Sequence, residues 1–176
     1  MRNKKDCKFR IDERLESIFW RKLSCYITRA AVSQLERRYR VLSVESSKGV
    51  ELLLVPSDAA YTELVDAFCS DVFTVGLHVA SVRGDRVLLH LSAGLIIQDV
   101  IVRGYLRLPE QLVKKLLYGK PLVVTPRGLE LDLSCDPVAV LDSMREFIAW
   151  ARVKRADGKL LIKPLVDAGW YLRSGV

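Results

Sequence analysis

Apolar positions in residues 12–31 recur every three or four: Leu15, Ile18, Phe19, Leu23, Tyr26 and Ile27. That period is helical, and Asp12, Glu13 and Glu16 put negative charge where a helix dipole begins. Over 35–44 the pattern shifts toward alternation; Ser46-Ser47-Lys48-Gly49 reads as a turn, and 50–55 as a second strand. Pro56-Ser57-Asp58 opens another helix over 59–68, with Tyr61, Leu64, Val65 and Phe68 on one face. Residues 73–82 and 86–91 read as a hairpin about Arg83-Gly84-Asp85. The first half is thus an α+β domain. The Ser92-Ala93-Gly94 step marks its end, giving domains 1–93 and 94–176.

The second half packs many short elements into little chain. Residues 100–102 read as a strand, and Leu108-Pro109-Glu110 as a helix start, since proline suits a first turn. Leu112, Val113, Leu116 and Leu117 form one buried face, which leaves Lys114 and Lys115 outside, and Gly119 suits a left-handed stop. Strands follow at 122–125, 129–133, 138–141, 147–153 and 160–162, with a short terminal helix over 167–173. Short strands with frequent turns predict a small closed β-barrel carrying one inserted helix. The expected fold class is α+β with such a barrel.

Charge sharpens this picture. The 176 residues carry a net +7, distributed as 13 Lys/Arg against 6 Asp/Glu in 1–48, 2 against 6 in 49–93, and 13 against 9 in 94–176. Basic ends suit a polyanion, and the acidic middle suits a protein partner. Half the residues are hydrophobic, enough for real cores, yet no apolar run is long enough to span a bilayer. The N-terminal MRNKKDCKFR lacks an apolar stretch behind its basic residues, so a cytoplasmic protein without a secretory signal is expected. Cys7, Cys25, Cys69 and Cys135 are widely spread with no Cys-x-x-Cys, which predicts reduced, buried thiols and no metal site.

Catalysis has little to stand on. There is no nucleophile elbow, P-loop or His-Glu-x-x-His, and His78 and His90 read as structural strand residues. Asp58, Glu63 and Asp66 most simply cap a helix and face solvent. No enzyme activity, catalytic residue or cofactor is expected.

Gly119-Lys120 after an apolar helix, and Pro137-Val138-Ala139-Val140 followed by a hairpin into Phe147-Ile148-Ala149, resemble the PUA domain, a small RNA-binding barrel. The flanks Phe73-Thr74-Val75-Gly76-Leu77 and Leu161-Ile162-Lys163-Pro164-Leu165-Val166-Asp167-Ala168-Gly169 are similar to the Nip-seven family, ribosome-biogenesis factors with a pre-PUA domain followed by a PUA domain. The resemblance implies a non-catalytic protein that binds RNA during large-subunit pre-rRNA maturation. It places Lys159 and Lys163 at RNA-contacting positions, while Leu160 and Val166 stand where family members often carry basic residues.

Lys154, Arg155, Lys159 and Lys163 bracket the last strand, and Lys114, Lys115 and Lys120 surround the barrel helix; together they are the candidate RNA-binding residues. Lys114 and Lys115 equally suit the wet side of a helix. Trp150, Trp170 and Tyr171 would stack bases if exposed, although Trp150 lies in an apolar strand that suits a core. Lys4, Lys5, Arg10, Arg37, Arg38 and Arg40 form a second basic group, which suits either phosphate contact or a solvated strand edge that discourages aggregation. Two other functions fit: an adaptor that docks a basic protein on acidic 49–93, and an accessory subunit of an RNA-modifying enzyme.

Overall fold

A computed structural model describes residues 9–58 and 75–169. The helix expected over 59–68, Lys4, Lys5, Glu63, Asp66, and the terminal segment with Trp170 and Tyr171 lie outside them. The described chain divides into two units, Met1–Ser24 with Arg29–Leu89, and Cys25–Thr28 with His90–Val176.

In the first unit, helix α1 (Glu13–Leu23) begins where its charge pattern said it would. The Asp12 carboxylate accepts from the backbone N–H of Arg14 (3.0 Å) and Leu15 (3.1 Å), satisfying two orphan donors of the first turn. Phe19, Trp20 and Leu23 are its buried face. The helical period expected to run to residue 31 breaks after Leu23. A second helix, α2 (Arg29–Arg38), then occupies part of what alternation suggested was a strand. Strands β1 (Phe9–Ile11), β2 (Tyr39–Ser46), β3 (Gly49–Pro56), β4 (Leu77–Arg83) and β5 (Arg86–Leu89) pair antiparallel in that spatial order. Phe9, Leu42, Leu53, Val55 and Val75 form a core on this sheet.

The second unit contains helix α3 (Leu91–Ile97), a 3₁₀ turn (Gln98–Val100), helix α4 (Glu110–Leu117) and strands β6 (Tyr105–Arg107), β7 (Leu122–Val124), β8 (Val138–Leu141), β9 (Phe147–Ala156) and β10 (Lys159–Asp167). The five strands form a curled half-barrel in the order β6-β8-β9-β10-β7, with β6 parallel to β8 and every other pairing antiparallel. Leu106, Val113, Leu116, Val138, Val140, Leu160 and Ile162 form its core, which helix α4 joins with the face its sequence period marked.

The differences from the sequence expectation have definite causes. Tyr26 and Ile27 continue the helical spacing, yet Cys25–Thr28 is a turn that belongs to the second unit. Tyr26 and Ile27 are fully buried there, and the Tyr26 hydroxyl donates to the Pro137 carbonyl at 2.6 Å. The Tyr26 carbonyl accepts from the N–H groups of Val102 and Arg103. That takes up the backbone which 100–102 would need as a strand, and β6 starts later. Residues 129–133 make one bridge, Leu131 to Leu106, rather than a strand. Asp167 ends β10, and Ala168-Gly169 is a turn.

Ser92-Ala93-Gly94 lies inside α3. Gly94 is not linker-like: a Cβ there would stand 2.2 Å from the Phe147 ring, so the helix needs glycine to reach β9. The expected reduced thiols are corrected for Cys25 and Cys135, while Cys7 and Cys69 lie outside the described residues. Cys25 and Cys135 form a disulfide across 110 residues of chain, because the 25–28 turn lays Cys25 beside the β8 approach.

Candidate nucleic-acid interface

Side chains alternate across a strand, and cross-strand partners share a face. On β9 and β10 the partners are Lys159 with Ala156, Leu161 with Lys154, and Lys163 with Arg152; on β10 and β7 they include Leu161 with Val123. Leu160 and Ile162 point into the core, so Arg152, Lys154, Lys159 and Lys163 share the opposite, solvent-exposed face. Leu161 is exposed between Lys159 and Lys163, and Val123, its β7 partner, is 64% exposed beside it. None of the four cations makes an ion pair among the described residues. Arg152 and Lys163 stand directly across from one another, a like-charge pairing that costs sheet stability.

The sequence-derived cluster is therefore split. Lys154, Lys159 and Lys163 come together, whereas Arg155 partners Leu160 and belongs to the other face at the hairpin end. Arg152 was missed. Its signal was present: it precedes Lys154 by two in a strand where Ala151 and Val153 take the alternate positions.

The helix lysines stand apart from this strand face. Lys114 pairs with Glu110 at 2.7 Å, and that hydrogen bond raises the lysine above its ordinary range while lowering the carboxyl. Lys115 is exposed on the same helix. Lys120 is exposed in the short connection between α4 and β7. A Cβ on Gly169 would stand 2.0 Å from the Leu117 carbonyl oxygen, so the end of β10 runs against the last turn of α4.

Trp150 cannot stack a base. It is fully buried, its indole N–H donates to the His90 carbonyl at 2.8 Å, and its ring lies against Tyr26 (4.9 Å) and Phe147 (4.8 Å). Tyr118, at the end of α4, is 65% exposed and is the open ring of this unit among the described residues.

A second polar group in the unit is structural. Glu130 accepts from the Tyr105 hydroxyl (2.7 Å), Arg107 (3.1 Å) and Arg145 (3.3 Å), and these hydrogen bonds, Tyr105 foremost, hold its carboxyl below the usual range. Arg107 also donates to the carbonyls of Asp142 and Ser143, and Arg145 to that of Ile101, so the guanidinium groups pin the β8–β9 loop. In the first unit, burial tends to raise the Glu51 carboxyl, but hydrogen bonds from Ser81 (2.5 Å) and the His78 ring (2.6 Å) outweigh it and hold it low. Glu51 is thereby satisfied within its own sheet.

Residues 104–176 match the UPF0113 PUA domain. The chain contains a PUA domain. The chain is also similar to a UPF0113 protein of Aeropyrum pernix, at 34% identity over 110 residues, covering 52% of this chain and 62% of the relative. It thus spans about 62% of the length of the curated relative it matches. The PUA match begins at Gly104, one residue before β6, and covers the curled sheet with its helix. No helix among the described residues is long and apolar enough to cross a membrane.

Proposed function

We propose that this is a non-catalytic RNA-binding protein, that its PUA domain contacts RNA phosphates through the β9–β10 face, and that it acts in the cytoplasm on large-subunit precursor rRNA during ribosome assembly. The observation that carries the reading is the exposed face of Arg152, Lys154, Lys159 and Lys163, with a like-charge pair directly across two strands and no ion pair to offset it among the described residues. A polyanion relieves that repulsion, and PUA domains generally bind RNA. The ribosomal role rests on the resemblance of the flanking segments to the Nip-seven family.

The test is fluorescence anisotropy with a short uridine-rich RNA across a salt series. Four phosphate contacts on a single strand predict a log–log slope of about −3. Lys159→Glu/Lys163→Glu should weaken binding and flatten that slope. Equal binding by this variant and the parent sinks the strand-face assignment, and no binding by the parent at low salt sinks RNA binding altogether. Co-sedimentation with large-subunit precursors, before and after nuclease, tests the ribosomal role: loss on nuclease treatment indicates contact through RNA, and absence from the precursors rejects it.

A further inference from the structure

We infer that helices α1 and α2 of the first unit form a second RNA-contacting surface that reads the phosphate backbone of structured RNA. This rests on the RNA-binding reading above but uses none of the same residues.

Arg14, Ser17 and Arg21 follow one side of α1, and Arg29, Ser33 and Arg37 one side of α2, by their i, i+3/i+4 spacing. At 1.5 Å per residue each arginine pair is about 10–12 Å apart along its helix, with a hydroxyl between. Arg14, Arg21, Arg29, Arg37 and Arg38 are exposed, and none has a side-chain partner among the described residues. The exposed carboxylates of the two helices are Glu13 and Glu36, so positive charge is in excess.

Two structural reasons for these arginines can be weighed. An edge strand defended by charge is excluded, since Arg37 and Arg38 are helical and β2, carrying Arg40, lies between β1 and β3. Dipole stabilisation accounts for Arg21 in the last turn of α1 and for Arg37 and Arg38 in the last turn of α2. It does not account for Arg29, which opens the helix at its positive end, in a first turn without an acidic residue. An unpaired arginine there costs helix stability and is accounted for by an external anion.

The surface favours phosphate over protein. Neither helix contributes an exposed large hydrophobic side chain, whereas a protein interface needs an apolar centre. Arginines with intervening hydroxyls suit phosphate and 2′-hydroxyl contacts across the shallow groove of an RNA duplex.

The experiment uses the full chain and a labelled RNA duplex of about 20 base pairs, long enough for shape-reading contacts. Arg29→Glu/Arg37→Glu is compared with Lys159→Glu/Lys163→Glu and the parent across a salt series, with melting curves to establish that each folds. The helix variant should bind about tenfold more weakly at low salt, with a slope shallower by about two. In the parent, RNA should protect Arg29 and Arg37 from phenylglyoxal modification. Parental affinity in the helix variant, alongside weakened binding by the strand variant, overturns this surface and leaves the PUA reading standing. Weakened binding without protection of Arg29 and Arg37 also overturns it. If the parent fails to bind RNA, both readings fall.

Discussion

Arg152 and Gly94 show how much a single position settles. Arg152 stands across from Lys163 without an acidic partner among the described residues, so its charge works against the sheet and in favour of a bound anion. Arg152→Gln should therefore flatten the salt dependence of RNA binding by about 0.7–0.9 while leaving the melting temperature unchanged or slightly raised. A steep fall in melting temperature would show the guanidinium to be structural instead. Gly94 acts through space alone. A methyl group there meets the Phe147 Cε1 and Cζ at 2.2 Å, inside any allowed contact. Gly94→Ala should cost about 1–3 kcal/mol by overpacking, read by urea unfolding. Combining it with Phe147→Leu should recover part of the loss, and strict additivity of the two would refute the contact as the cause.

Among the elements, the β3–β4 pair carries a pH dependence. Glu51 on β3 is held below its ordinary value of 4.5 against the pull of burial, chiefly by the Ser81 hydroxyl and the His78 ring on β4. A carboxyl whose native value is depressed stabilises the fold fully above the unfolded value. That contribution fades as pH falls from about 4.5 through the lowered native value. The melting-temperature gap between the parent and Glu51→Gln should thus shrink as pH falls below about 4.5. A gap that widens there would contradict the sign. Helix elements divide the same way between local and distant causes. The start of α1 follows from Asp12, whereas its end at Leu23 follows from where Cys25–Thr28 is bound.

At the scale of the whole molecule, the Cys25–Cys135 bond closes a loop that contains all of Arg29–Leu89. By chain entropy, a crosslink of this span restricts the unfolded state by about 4–5 kcal/mol, with about 2–4 kcal/mol typical of measured cases. Cys25→Ala/Cys135→Ala, unfolded without reductant beside the parent, should lose stability in that range. Equal stability would mean that Tyr26 and Ile27 hold the turn unaided. The two proposed RNA surfaces belong to different units, so their charge-reversal variants should act independently on affinity, and the combined variant tests this directly.

Much of this fold is legible in the order of residues. A short apolar run between turn residues marked β8 at 138–141, where the strand runs Val138–Leu141, and the apolar face of α4 with its stop near Gly119 was plain from spacing. These features are local: the period of burial and the turn chemistry both lie within a few residues. The candidate site was legible in part, because charge and parity are written along β9 and β10. Which strand partner sits opposite, and hence which lysines meet, was not. Periodicity reports that Tyr26 and Ile27 are buried but not against what, and a helical continuation and a turn packed on the second unit present the same spacing. The same limit hid the Cys25–Cys135 pairing, turned the Gly94 step from an apparent linker into a packing contact, and left Trp150 open to two readings until Tyr26 covered it. Each depends on contacts between residues far apart in the chain, and only the folded arrangement brings them together.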